Sequence, residues 1–492
     1  MPVLPPDQLR YLLAFLIELP LCYIYRFLPP NENLKHFVYG LTGVFLLFYV
    51  YEEQMLITLI PACITFFVMR TNQSIKLAIA LFLSNMAFLT TLQIYKYYTS
   101  YLQWKLDIAT LQMIVVIKLS SFAFNVAKGH NPSITTKSVY NTNNNITPKE
   151  FPTLLQFFGY FYFFPACFSG PCLEYKTYSK FVSLDLFKCS DNDSKESSIE
   201  ITNNQYKDTQ SPKLLPIDWS AAFIVTCQII VLAGLTIIAL ILPLKQKFYE
   251  IVIDKKQHVG FLGRMVVTQI FMYSTVFRYF ASWKLAELSG VVMGFGFSGY
   301  QNGVATWENY ENVKLKTFCL SRSCKEVIGG WNCYVQSFFK NHVYEAFKAL
   351  SGLTDRYKQT LTNLTSALWH GVYPGYYLAF GMLALHNTVS AKFSYQVEPF
   401  IIKKYGETSI LYKMYLVITF LYTRVAITYS FVPFMIYTFE DSWKFFVSTY
   451  FFIDVIAVLA LLLIKLFFTK EIDASKKEEN SNLASENREK LD

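Results

Sequence analysis

Apolar stretches recur from one end of the chain to the other, near 9–28, 37–51, 54–69, 76–95, 106–127, 151–168, 219–243, 261–285, 362–390, 408–436 and 444–468. A helix needs about 20 apolar residues to cross a bilayer, whereas a barrel strand shows about ten of alternating polarity. Uninterrupted runs such as 223–242 therefore select helices, and the pattern predicts an all-α, polytopic transmembrane protein of about eleven spans. The first stretch has neither a basic flank nor a small-residue cleavage site, so it reads as a retained helix. No repeat of 20–50 residues is visible, and the two halves lack matching Gly- or Pro-broken segments, which counts against a transporter built from inverted repeats.

Two polar interruptions, 128–150 and 187–213, read as loops. Asn145 and Asn192 begin glycosylation triplets on either side of a single apolar segment, so the two are not expected on the lumenal side together. From Lys470 onward the chain becomes charged and loses its aromatics, which divides it into a transmembrane domain over 1–469 and a disordered polar tail over 470–492. Arg488 and Lys490 in that tail loosely resemble the basic signals that retrieve proteins to the endoplasmic reticulum.

Composition agrees with this pattern, at 53% hydrophobic, 18% aromatic and 16% charged over 492 residues, against about 25% charged in average soluble chains. The net charge of +9 fits Lys and Arg gathered on cytoplasmic loops facing anionic lipid, so no nucleic-acid partner is implied. Nine cysteines form an odd set partly inside apolar segments, and no disulfide framework follows. The pairs Cys167/Cys172 and Cys319/Cys324 have four residues between them and no histidine nearby, so no metal site is expected.

Candidate chemistry lies where polar groups interrupt apolar segments. The stretch 361–385 holds His370 at its centre, after Trp369 and before Gly371, Pro374 and Gly375. An ionisable group at membrane depth suggests function, and a neutral imidazole is the form that accepts a proton. Gly and Pro would open the helix there, which is tolerable where the backbone faces protein or a wet cavity. A structural histidine bonded to a neighbouring carbonyl remains the alternative. Asn332 follows Gly-Gly-Trp331 and could steady an oxyanion without any pKa adjustment, although by its setting alone a surface or capping asparagine is the commoner case. Glu174-Tyr175 follows a Pro/Gly-broken aromatic run, where Glu174 is either a buried partner or a solvated residue. GFGFSG at 294–299 lacks the strand–loop–helix setting of a dinucleotide site.

Taken together and in this order, these stretches resemble the lysophospholipid acyltransferases of the membrane-bound O-acyltransferase superfamily. SALWHGVYPGYY at 366–377 looks like that group's W-H-G-x-x-P-G-Y motif, SGPCLEY at 169–175 is similar to its G-P-x-x-x-Y element, and Phe295–Gly299 and Trp331-Asn332 fall where the group has their counterparts. The nearest likeness is to the branch acting on lysophosphatidylethanolamine and lysophosphatidylserine. Departures are visible too: VFRYFASW at 276–283 keeps Arg278, Tyr279 and Trp283 of an R-x-K-Y-Y-x-x-W pattern, and Trp307-Glu308 stands where a Trp-Asp pair is usual.

The resemblance implies a helical membrane fold with a buried catalytic chamber, located in the endoplasmic reticulum. Its activity would be transfer of a fatty acyl group from acyl-CoA to the free hydroxyl of a lysophospholipid, with no further cofactor. His370 and Asn332 are implied as the catalytic pair, and Trp331, Trp369, Glu174, Tyr175 and Arg278 as substrate contacts. Trp283, Tyr376 and Tyr377 could line an acyl tunnel or simply pack helices. Between 314 and 358, eight basic residues including Lys340 and Lys348 stand against three acidic ones, which fits a cytoplasmic mouth attracting CoA phosphates or a surface anchored to lipid. The rival readings are a peptide O-acyltransferase of the same superfamily and a polytopic transporter.

Overall fold

The computed structural model of the chain describes residues 5–103, 105–131, 144–168, 170, 172–187, 217–301, 304–307, 309–348 and 354–467. The tail expected over 470–492, Asn192 and the centres of both polar interruptions lie outside these residues. Among the described residues helices dominate, with one short antiparallel hairpin that pairs Gly299–Gln301 with Val304–Thr306. GFGFSG leads into that hairpin from the end of a helix, the reverse of the order a dinucleotide site requires.

Among the described residues, six helices are long and apolar enough to cross a bilayer: Pro6–Phe27, Glu32–Thr71, Ile75–Thr99, Ile108–His130, Trp219–Ile241 and Ile410–Ile436. Phe439–Ser448 and Phe452–Phe467 meet at a bend of 72° and add a seventh if they form one span. The eleven apolar segments outnumber these helices for identifiable reasons. Segments 37–51 and 54–69 run on as one span of 40 residues. Segment 151–168 is helical only over Leu154–Phe161, then turns through a short 3-10 helix at Phe164–Ala166 that carries Pro165. Segment 261–285 belongs to the 33-residue helix Phe261–Met293, whose Arg264, Arg278, Lys284 and Glu287 lower its hydropathy. Segment 362–390 breaks at Gly371 into Asp355–His370 and Pro374–Lys392.

Helix starts follow from local chemistry. Side chains of Asn31, Ser74 and Asp107 each accept a bond from the backbone amide three residues on, satisfying donors that have no partner within the helix. Thr153 and Gln156 form a reciprocal capping box ahead of Leu154–Phe161.

The described residues fall into two compact units. The first comprises Met1–Leu242, Ser274–Lys314 and Gly330–Val372. Its centre is Ile108–His130, nearly all of whose second half is buried, in an aromatic core where Phe122 meets Phe157 at 5.0 Å and Phe163 meets Phe295 at 5.2 Å. Buried Lys118 points from this helix into the Tyr160–Ala166 turn, donating to the carbonyl oxygens of Tyr160, Phe161 and Ala166 at 3.3, 2.9 and 3.4 Å. The second unit comprises Pro243–Tyr273, Leu315–Gly329 and Tyr373–Asp492. Here Pro374–Lys392 packs along Ile410–Ile436, and buried His386 meets the Tyr422 hydroxyl at 2.8 Å and the Asp454 carboxylate at 3.1 Å. Arg424 donates to the carbonyls of Phe318 and Ser321.

Candidate active site

In the first unit, His370 is the last residue of the helix Asp355–His370. The helix stops because Gly371 has φ 150°, ψ −174°, a backbone region that side chains disfavour. Trp369 is fixed at both ends: its indole N–H donates to the Met113 carbonyl at 2.9 Å, and its own carbonyl accepts from the Gln93 side chain at 2.8 Å. The Trp369 ring stands edge-to-face to the imidazole of His370, centroids 4.7 Å apart. His370 itself is only partly exposed. A partly buried imidazole at a helix terminus, with its preceding residue pinned, can receive a proton from a hydroxyl delivered beside it.

Asn332 also occupies a special backbone position. It precedes the helix Cys333–Phe338 with φ 47°, ψ 59°, in the left-handed region that asparagine tolerates better than most residues. Its neighbour Trp331 packs against Phe280 at 5.2 Å, Trp283 at 5.0 Å and Tyr279 at 6.0 Å, all from Phe261–Met293. Thus the structure brings Trp283 together with Trp331, the residue that immediately precedes Asn332. Arg278 on the same helix is exposed, and one of its bonds runs to Thr275.

Glu174 immediately precedes the helix Tyr175–Val182, and its side chain, rather than capping that helix, accepts a bond of 2.7 Å from the Asn125 side chain. Its other oxygen lies 3.9 Å from the His342 imidazole, beside which Lys128 donates to the Asn341 carbonyl. Tyr175 is buried edge-on against Phe122 and Tyr160. In the second unit Tyr376 packs on Phe434 at 4.6 Å and on Tyr437, and Tyr377 is partly exposed. Gly375 there donates to the Tyr437 carbonyl at 2.8 Å, and a Cβ would come within 2.1 Å of the Pro433 oxygen, so the Pro-Gly of the motif permits a close backbone approach.

The basic stretch is not one element. Lys314 and Lys340 are exposed residues of the first unit, Arg322 belongs to the second, where it pairs with Glu398 at 3.3 Å, and Lys358 pairs with Asp355 at 3.2 Å. The side chain of Lys348 lies outside the described part.

A family model described as MBOAT, membrane-bound O-acyltransferase family, matches residues 45–432, a range that contains Glu174, Asn332 and His370. The chain belongs to the membrane-bound O-acyltransferase family. It is 27% identical over 93% of its length, and 86% of the relative's, to a protein of Schizosaccharomyces pombe named lysophospholipid acyltransferase. It is 26% identical to human membrane-bound glycerophospholipid O-acyltransferase 2, covering 94% of this chain and 85% of that one. Against lysophospholipid acyltransferase 2 of Arabidopsis thaliana the identity is 26%, with 96% of both chains covered.

As a multi-pass membrane-bound O-acyltransferase, the chain also carries buried polar residues that reading the sequence passed over: Lys118, Lys284, Glu287, Asn312 and His342. Lys284 and Glu287 left a usable signal, since opposite charges three apart inside an apolar helical run face each other and require burial together. Asn312 and His342 left none, because each finds its partner across a distance in the chain.

Proposed function

We propose that this protein transfers a fatty acyl group from acyl-CoA to the free hydroxyl of a lysophospholipid. The observation that carries the reading is that relatives from fungus, human and plant, with names stating lysophospholipid or glycerophospholipid acyl transfer, align over 93–96% of this chain. Lysophosphatidylethanolamine and lysophosphatidylserine are the proposed acceptors, on the likeness of the GFGFSG and SALWHGVYPGYY runs, and the endoplasmic reticulum is the proposed location.

In the proposed step the acceptor hydroxyl attacks the thioester carbonyl, forming a carbon–oxygen bond, while its proton passes to the His370 imidazole. The carbon–sulfur bond then breaks, CoA leaves as the thiolate, and the proton on His370 is returned to it. No covalent enzyme intermediate or metal enters this scheme. A positioned general base contributes about 10²–10⁴-fold. Asn332 supports the oxyanion on the thioester oxygen, a role worth about 3 kcal/mol where it has been removed in other enzymes. The left-handed backbone at Asn332 and the clamped Trp369 support these roles, since each fixes the approach of a reacting side chain.

The test is acyl transfer by purified protein with radiolabelled acyl-CoA and a panel of lysophospholipids beside a peptide acceptor. Labelled phospholipid is expected with the ethanolamine or serine head group. Acylation of the peptide alone, or no transfer to any acceptor, would overturn the proposal.

A further inference from the structure

Lys284 and Glu287 form a buried ion pair on the helix Phe261–Met293, each less than 6% exposed. Such a pair is weak support for stability, because removing two charges from water offsets most of their attraction. Glu287 has a second task. Its other carboxylate oxygen accepts the backbone amides of Asn312 and Val313 at 2.8 and 2.9 Å. Residues 309–314 in turn hold the segment around Asn332. The Lys314 amide donates to the Gly330 carbonyl at 3.0 Å, and the Cys333 amide to the Asn312 carbonyl at 2.9 Å. The Tyr334 amide donates to the Asn312 side chain at 3.3 Å, and the Tyr334 hydroxyl to the Asn309 carbonyl. The residue before Asn332 and the two after it are therefore all restrained, Trp331 by the aromatic cluster of the same helix and Cys333 and Tyr334 by Asn312.

We infer that Glu287, acting through Asn312, is a positioning residue that holds Asn332 in its left-handed conformation. A non-glycine residue in that region persists only where its surroundings over-determine it. Here the surroundings are a carboxylate locked by Lys284, two amides turned toward it, and a side chain and carbonyl of Asn312 that reach the far side of Asn332. The inference rests on the proposed role of Asn332 in catalysis.

Glu287→Ala removes the acceptor, and Lys284→Met with Glu287→Gln keeps an oxygen for the two amides without leaving a charge unpaired. The partly exposed Cys333 supplies a readout besides activity, through its rate of maleimide labelling followed by peptide mass spectrometry. Glu287→Ala is expected to lower kcat by about 10²-fold, the order expected when a reacting group is displaced by about 1 Å. Both KM values should stay within about twofold, as for a group acting only in the transition state. Cys333 should label faster, the double substitution should recover both properties, and Glu287→Ala added to Asn332→Ala should cost nothing further. Unchanged Cys333 labelling in Glu287→Ala, or a kcat loss that adds in full to that of Asn332→Ala, would overturn the inference. Should Glu287→Ala not accumulate in membranes, Asn312→Ala removes only the side-chain bond to Tyr334 and is judged by the same two readouts. Full activity in Asn332→Ala would remove the mechanism instead, while Cys333 labelling would still decide whether Glu287 holds the segment.

Discussion

At Gly371 the chain adopts φ 150° immediately after His370, and the indole of Trp369 is tied to Met113 immediately before it. The imidazole therefore sits at a helix end held on both sides, as the proposed role of His370 as base requires. His370→Ala should leave a folded, membrane-inserted protein while acyl transfer falls about 10²-fold or more. Near-normal turnover in purified His370→Ala, with thermal unfolding unchanged, would remove the base from the scheme. His370 is legible in the sequence because an ionisable residue inside an apolar run stands out, whereas Asn332 is unremarkable by its setting and is singled out only by the family resemblance. The residues that orient them are not legible there. Gln93 and Met113 lie more than 250 positions from Trp369, and only the fold makes them its partners.

The helices show how far apolar runs determine spans. A run of apolar residues implies burial in lipid or protein without distinguishing them, so 151–168, read as one segment, becomes an eight-residue helix, a turn at Tyr162 and a 3-10 helix. Lys118 supplies three bonds from the neighbouring helix to carbonyls of that turn, of which the Tyr160 carbonyl also accepts the Phe163 amide at 3.2 Å. A lysine inside the apolar run 106–127 is thus explained by a break in a different segment. Lys118→Met conserves approximate volume and loses the donors. Leaving a buried carbonyl unpaired costs about 1–3 kcal/mol, and the Tyr160 carbonyl keeps its Phe163 amide, so losing the ammonium should lower the thermal midpoint in detergent by several degrees and loosen the turn at Tyr162–Ala166. Protease cleavage within that region should quicken accordingly. An unchanged midpoint would mean that water or lipid head groups satisfy these carbonyls as well as the ammonium does.

At the scale of the whole molecule, the proposed donor, acyl-CoA, is a water-soluble polyanion that has to reach the proposed site in a chain rich in apolar helices. Long-range attraction by basic residues brings it there if they face the cytosol, and Lys314 and Lys340 are exposed residues of this stretch, Lys340 lying just beyond the helix Cys333–Phe338. Ion pairing reduces the contribution of Arg322, bound to Glu398, and of Lys358, bound to Asp355. Lys340→Gln combined with Lys348→Gln should therefore raise the KM for acyl-CoA and flatten its dependence on salt, because screened charge is what the substitutions remove. The KM for the lysophospholipid, which arrives through the bilayer, should move little. If these lysines instead anchor the protein to anionic lipid, the double substitution would lower the inserted amount and leave the kinetics of the inserted fraction intact. Cysteines placed at 340 and 348 and labelled in sealed microsomes separate the two outcomes by sidedness, since a lumenal position for either excludes a cytosolic CoA mouth at this stretch whatever the kinetics show.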